Sequence, residues 1–281
     1  MMRQSLDVEL AAARKAALKA GLGPVTPELL HLGNHTSARV APWPIVARIA
    51  SGTSFDLSGG SIRRELRIGN CLAHHRAPSV RPTDAVKPGP HFEDGCAITF
   101  WAFVDGSPVS TDSDERMAAA ALRRLHAALA DVGLELPSFM DKITSCETIL
   151  GDEAAAPSLA PADRSFLQSV YERLRGDLEG AGSVGQPIHG DSHVGNAIIT
   201  DGGAVWMDLE SVCIGPIEWD IGFLPPATWS EFEHANPTLI RALADARSFC
   251  VATWCWAEFD RSPATNEAAL HHLAKLKHRF G

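Results

Sequence analysis

Residues 186–224 read QPIHGDSHVGNAIITDGGAVWMDLESVCIGPIEWDIGFL. The segment gathers His189, Asp191, His193, Asn196, Asp208, Glu210 and Asp220 around glycines and two short apolar runs. Those runs, Ala197–Thr200 and Ala204–Met207, flank Asp201-Gly202-Gly203 and predict a β-hairpin. Polar side chains in tight loops and at strand ends are where reactive groups are usually displayed.

Three chemistries compete for this pattern. Phosphoryl transfer needs a carboxylate to orient the attacking hydroxyl and accept its proton. It also needs one or two Mg2+ ions to neutralise charge between the β- and γ-phosphates. A D-x-x-x-x-N loop followed by an Asp at the end of a hairpin supplies that set, with Asp191 as base and Asn196 and Asp208 as metal ligands. Hard oxygen donors suit Mg2+, which keeps several waters and takes few protein groups. A transition-metal site is the second reading, since His189, Asp191 and His193 alternate as they would on one face of a strand. No other Cys, His or Glu cluster completes it, and Gly190 and Gly195 argue for a loop. In the third, Asp191 and Asn196 only cap turns. That explains one such residue well and three in this order poorly.

The run H-G-D-x-x-x-x-N (His189 to Asn196), a hairpin, D-x-E (Asp208 to Glu210) and I-G-P-x-x-W-D (Ile214 to Asp220) resembles the aminoglycoside phosphotransferase/choline kinase branch of the protein-kinase-like fold. His189-Gly190-Asp191 stands where protein kinases have His-Arg-Asp, and Asp208-Leu209-Glu210 where they have Asp-Phe-Gly. The resemblance implies that Asp191 is catalytic, that Asn196 and Asp208 hold Mg2+, and that His189 and Asp220 support the loop. Val46-Ala47-Arg48 resembles the strand whose basic residue contacts the α- and β-phosphates, and Glu65 the helix residue that pairs with it. The basic residue is Arg48 where protein kinases have Lys, and its fork still suits phosphate. A solvated strand charge is the plainer account of Arg48.

Phe100-Trp101-Ala102-Phe103 resembles the hinge whose backbone groups bind the nucleobase, although a plain core strand explains the aromatics as well. Leu32–Ser37 stands where a glycine-rich loop covers the phosphates. It has one glycine, so Asn34, Thr36 and Ser37 become the candidate contacts. His126, in Leu125-His126-Ala127, reads as packing.

Outward from these motifs, residues 5–20 predict an Ala-rich helix closed by Gly21 and Gly23, and strands are expected at Ala38–Val40 and Ile45–Ala50. A helix follows over Ser61–His74, then a buried strand over Ala97–Val104. Asp112 with Glu115 predicts a capping box for a helix carrying Leu122, Leu125 and Leu129. Further helices are expected over Ala162–Leu178, Leu239–Phe259 and Glu267–Phe280. The expected fold is α+β and bilobal: a small β-rich nucleotide lobe with its hinge strand over 1–103, and a mainly helical catalytic and acceptor lobe over 104–281.

The 281 residues carry 25 Lys and Arg against 34 Asp and Glu, a formal net charge of −9. That sign repels phosphate backbones, so nucleic acid is not an expected partner, and it attracts cations. The six cysteines form no CxxC pair and read as reduced thiols. No signal-peptide core and no membrane-length apolar run is apparent, so a cytoplasmic monomer without membrane contact is expected.

The expected donor is ATP or GTP with Mg2+. The expected acceptor is a cationic small molecule such as an aminoglycoside or another basic antibiotic, implying a role in antibiotic resistance. Choline, an amino sugar and homoserine are the metabolic alternatives, and a nucleotide-binding pseudokinase is the non-catalytic rival. Glu218, Glu231, Glu233 and Glu258 are acidic candidates for the acceptor side.

Overall fold

The computed structural model describes residues 5–33, 35–51, 60–181, 185–258 and 263–281. The first elements are α1 (Leu6–Lys19), β1 (Thr26–Leu32), β2 (Thr36–Ala41), β3 (Ile45–Ser51), α2 (Gly60–His74), β4 (His91–Glu93) and β5 (Cys96–Ala102). Next come β6 (Ser107–Pro108), α3 (Asp112–Leu129), α4 (Met140–Gly151), α5 (Pro161–Ala181) and β7 (Gln186–Ile188). The chain ends with β8 (Ala197–Thr200), β9 (Gly203–Trp206), β10 (Cys213–Gly215), α6 (Ile217–Ile221), α7 (Pro237–Ala257) and α8 (Pro263–Phe280). The expected end of the penultimate helix at Phe259 lies outside the described residues.

Two compact units form, Met1–Leu134 with Gly195–Glu210, and Glu135–Val194 with Ser211–Gly281. The sequence reading divides the chain at residue 103. Packing divides it elsewhere, because α3 and the β8–β9 hairpin belong with the first sheet's unit: Trp206 Nε1 donates to the carbonyl of Ala118 at 3.1 Å.

In the first unit an antiparallel sheet has the order β1-β2-β3-β5-β4. Period-two burial sends Ala38, Val40, Ile45, Ala47, Ile49, Ile98 and Phe100 to one core, where Ala12, Ala13, Ala16 and Ala17 of α1 meet them. Alanines on that helix face let its backbone lie close to the sheet. Glu9 of α1 is fully buried and accepts hydrogen bonds from the hydroxyls of Thr36 and Ser51. A buried carboxylate is tolerable only with such partners. The opposite sheet face turns to α2, where Gly69 is needed because a Cβ there would press on Trp101 at 2.8 Å.

The capping box of α3 sits one residue earlier than expected. Thr111 is the N-cap, its hydroxyl accepts from Asp114 N at 3.2 Å, and Asp114 Oδ2 accepts back from Thr111 N at 3.0 Å. Asp112 instead lies in the first turn, complementing the helix dipole.

The second unit is mainly helical, with α4, α5, α6, α7 and α8 around a core that includes Phe139, Leu167, Trp219, Phe249 and Leu273. Arg164 of α5 closes the end of α4 by donating to the carbonyls of Ile149, Leu150, Asp152 and Ala156. The short pair β7–β10 carries the chain into and out of the segment quoted first. No helix among the described residues is long and apolar enough to cross a membrane.

Candidate active site

Strand alternation puts Arg48 of β3 on the face away from α1, towards Glu65 of α2. Nη1 donates to Glu65 Oε1 at 2.9 Å, and Nη2 donates to Asp208 Oδ1 at 2.7 Å while lying 3.2 Å from Glu210 Oε2. Arg48 is no solvated strand charge; its side chain is 13% exposed. His35 adds to the group, with Nε2 2.6 Å from Glu210 Oε2.

One guanidinium therefore meets three carboxylates. Burial works against the charge of Arg48, but Glu65, Asp208 and Glu210 outweigh it and hold the guanidinium protonated. The same imbalance acts on the most buried acid. Burial pushes Glu65 up to about 8, Glu210 and Asp208 push the same way, and Arg48 opposes them. When all three acids are ionised the group carries excess negative charge, and it attracts a further cation.

The register of the hairpin decides what lies beside it. Ala197 pairs with Trp206, and Met207 N donates to Asn196 O at 2.9 Å, so Asn196 and Asp208 flank the open end of β8 and β9. Asp208 has φ of +64°, a left-handed conformation that Asp tolerates better than most residues and that aims its carboxylate out of the strand direction. Asn196 and Asp208 both carry side-chain oxygens of the hard type that divalent cations such as Mg2+ favour. Among the described residues no three His, Cys, Asp or Glu side chains form a ready metal cage.

In the second unit the loop after β7 is fixed by α6. Asp220 accepts from His189 N at 2.7 Å and from Gly190 N at 2.8 Å. Trp219 Nε1 donates to Gly190 O at 3.1 Å, and Ser192 Oγ donates to Asp220 O at 2.8 Å. Gly190 has φ of +80°, and a Cβ there would collide with the carbonyl oxygen of Ser211. His189 is fully buried and its Nδ1 accepts from Asp191 N at 3.3 Å. This frame presents Asp191 with its side chain 36% exposed, and His193 Nε2 lies 3.7 Å from Asp191 Oδ2. The strand-like alternation of a transition-metal site is not realised, since β7 ends at Ile188 and His189 points into the core.

Other expected residues divide. Ser37 pairs with Arg48 in the β2–β3 register and shares its face. Thr36 faces the other way, and its hydroxyl is engaged with Glu9 and not turned to the face of Arg48. Asn34 lies outside the described residues. Phe100 and Trp101 are core side chains, and Trp101 Nε1 donates to Thr99 Oγ1 at 2.9 Å.

The backbone of the expected hinge is occupied as well. Phe100 N donates to Pro88 O, Ala102 N to Arg81 O and Phe103 N to Pro44 O, while Trp101 pairs with Val46. The N–H groups of this stretch are thus engaged within the protein up to Phe103. His126 is buried, as a packing residue should be. Sequence reasoning left His35, Glu210 and Trp219 without roles; for the last two, the D-x-E and W-D motifs were the available signal.

A sequence model of the phosphotransferase enzyme family APH matches residues 45–260. No curated protein matches the chain at the level of sequence. A microcompartment-associated aminopropanol kinase superposes with a TM-score of 0.74 at 14% identity, over 95% of this chain and 94% of that one. Amicoumacin kinase hAmiN, solved with AMP-PNP, Ca2+ and Ami, gives 0.72 at 14% identity over 97% and 94%. Choline kinase LicA from Streptococcus pneumoniae gives 0.65 at 13% identity over 98% of both chains. The common architecture is the α+β protein-kinase-like fold.

Proposed function

The chain belongs to the phosphotransferase enzyme family, and from that membership we propose that it moves the γ-phosphoryl group of ATP or GTP onto a hydroxyl of a small, positively charged molecule. The observation that carries this reading is the Arg48 group, a buried guanidinium oriented by Glu65 and set among more carboxylates than it can neutralise. Arg48 receives the α- and β-phosphates, with Ser37 beside it. Asn196 and Asp208 hold Mg2+, which when bound neutralises charge on the phosphates.

Asp191 orients the attacking hydroxyl and accepts its proton; the carboxylate is half-exposed, and its backbone is fixed through His189, Gly190 and Asp220. Transfer is direct, with no phospho-enzyme, and acceleration comes from positioning and charge neutralisation.

Support for a cationic acceptor comes from the net charge of −9 and from the amine-bearing compounds named for similar folds, aminopropanol and choline among them. A hydroxylated amine or basic antibiotic is the class favoured. The test is transfer from ATP and GTP, with Mg2+, to a panel of basic antibiotics, amino sugars and amino alcohols. Phosphorylated product on one or more amines is expected. A silent panel together with no slow release of phosphate to water would replace this reading with a nucleotide-binding pseudokinase.

A further inference from the structure

A second arginine shares the sheet face of Arg48 and is treated in the opposite way. In the β2–β3 register Ser37 opposes Arg48 and Arg39 opposes Val46, so Arg39 lies on the same face, two residues along. From strand geometry the two Cα atoms are roughly 8 Å apart. That is the order of separation a ribose makes between a nucleobase and its phosphates.

The Arg39 side chain has no hydrogen bond or ion pair among the described residues. Its Nε is buried without a partner, and its guanidinium stacks on Phe103, 4.7 Å from the ring centroid. The ring holds the guanidinium in place by a cation–π contact while leaving its terminal nitrogens unused. Phe103 follows β5 directly, and the N–H groups of Phe100, Ala102 and Phe103 all donate within the protein. A base placed along this stretch finds no backbone donor there, and finds Arg39.

We propose that Arg39, held over the Phe103 ring, reads the nucleobase of the phosphoryl donor and makes this enzyme prefer guanine over adenine nucleotides. The inference rests on the sheet face of Arg48 being the nucleotide site. Its chemistry is a matter of donors and acceptors. A guanidinium has donors only, guanine offers two adjacent acceptors in O6 and N7, and adenine replaces O6 with an amino donor. A bidentate arginine contact to guanine discriminates by roughly 1–3 kcal/mol, about fivefold to 150-fold. Arg48 does not do this, because Glu65 orients it and the proposed function assigns its remaining nitrogens to the phosphates.

The experiment uses the full chain with Mg2+ and compares GTP, ATP, ITP and 7-deaza-GTP. Both nucleotide affinity by calorimetry, without acceptor, and kcat/KM for phosphate release are read. GTP is expected to exceed ATP by about fivefold or more. ITP, which keeps O6 and N7, should behave as GTP, and 7-deaza-GTP, which lacks N7, should fall most of the way to ATP. In Arg39→Met the preference should shrink to within threefold. ATP equal to or better than GTP, 7-deaza-GTP equal to GTP, or a preference surviving in a folded Arg39→Met would each overturn the proposal.

If Arg39→Met fails to fold, the analogue series on the unaltered chain decides alone. Selective guanine binding without any phosphate transfer would sink the proposed activity and keep this inference. Equal transfer from ATP and GTP would do the reverse.

Discussion

Arg48 in the first unit faces three carboxylates and cannot neutralise them, whereas the loop His189–Asp191 in the second has a partner for each of its backbone donors. The first region is electrostatically unfinished and responds to whatever charge arrives. The second is finished, and its single exposed function is the Asp191 carboxylate. Phosphoryl transfer asks for both properties. Developing charge must be met by groups ready to change partners, and the attacking hydroxyl must be met by a group that does not move.

The contrast breaks most visibly at Asp191. Asp191→Asn should lower kcat by about 10²–10⁴-fold, the usual cost of losing a general base, while nucleotide affinity and thermal stability stay near those of the unaltered chain. The side chain is half-exposed and the loop is held by other groups, so little folding energy depends on it. Activity within threefold of normal in steady-state kinetics would remove Asp191 from the role.

Asp220 and Asp208 give the matched pair of tests. Asp220→Ala strips two buried N–H groups of their acceptor and should destabilise the chain by about 3 kcal/mol, lowering kcat with it. Asp208→Asn removes a charge from an overcharged group and keeps a residue that tolerates a positive φ, so stability should hold or rise. What Asp208→Asn should lose is the tightening of nucleotide binding by Mg2+, measured by calorimetry with and without the metal. If Asp208→Asn keeps that tightening, or proves the less stable of the two, the comparison fails.

Glu65 sharpens it through pH. Its folded-state carboxyl is raised from 4.5 to about 8, chiefly by burial, so the folded chain holds the proton more tightly than the unfolded one. The resulting stabilisation is fully present below pH 4.5 and is lost as pH rises through 8. Thermal melts of the chain in chelator should therefore show a falling contribution across that window, and Glu65→Gln should flatten it. Parallel melting curves for the two proteins would mean that Glu65 is ionised throughout.

The parts of this arrangement legible in the sequence are those whose chemistry is local. Asp191, Asn196 and Asp208 lie within one continuous stretch, so spacing alone brings them to notice. Pairing of Arg48 with Glu65 was accessible only through resemblance, because a strand arginine and a helix glutamate carry no mutual signal. The contact of His35 with Glu210 joins residues remote in sequence and had no signal at all. Strand β1 was missed because its side chains are almost all exposed, leaving no alternation to read. Helix α4 was missed because Phe139 at its N-cap makes no side-chain cap. The α3 cap slipped by one residue because Thr111/Asp114 and Asp112/Glu115 both fit a capping pattern, and only backbone geometry separates them. Engagement of the hinge N–H groups also had no local signal: residues 81–88 return beside β5 and accept from Phe100 N and Ala102 N.

The smallest expected effect concerns the acceptor, and it tests whether charge outside the Arg48 group matters. With a net charge of −9, the chain should attract a polycationic acceptor over distances comparable to the Debye length, which shrinks from about 30 Å at 0.01 M salt to about 8 Å at 0.15 M. Acceptor kcat/KM, measured at saturating Mg-nucleotide, should fall several-fold over that range. Nucleotide affinity should fall less, because Arg48 is largely buried and ions screen a buried contact weakly. A neutral or zwitterionic acceptor has no such attraction to lose. A flat acceptor profile would therefore remove the electrostatic support for a basic antibiotic and favour an acceptor such as homoserine, while leaving the assignments of Arg48, Asp191 and Asp208 untouched.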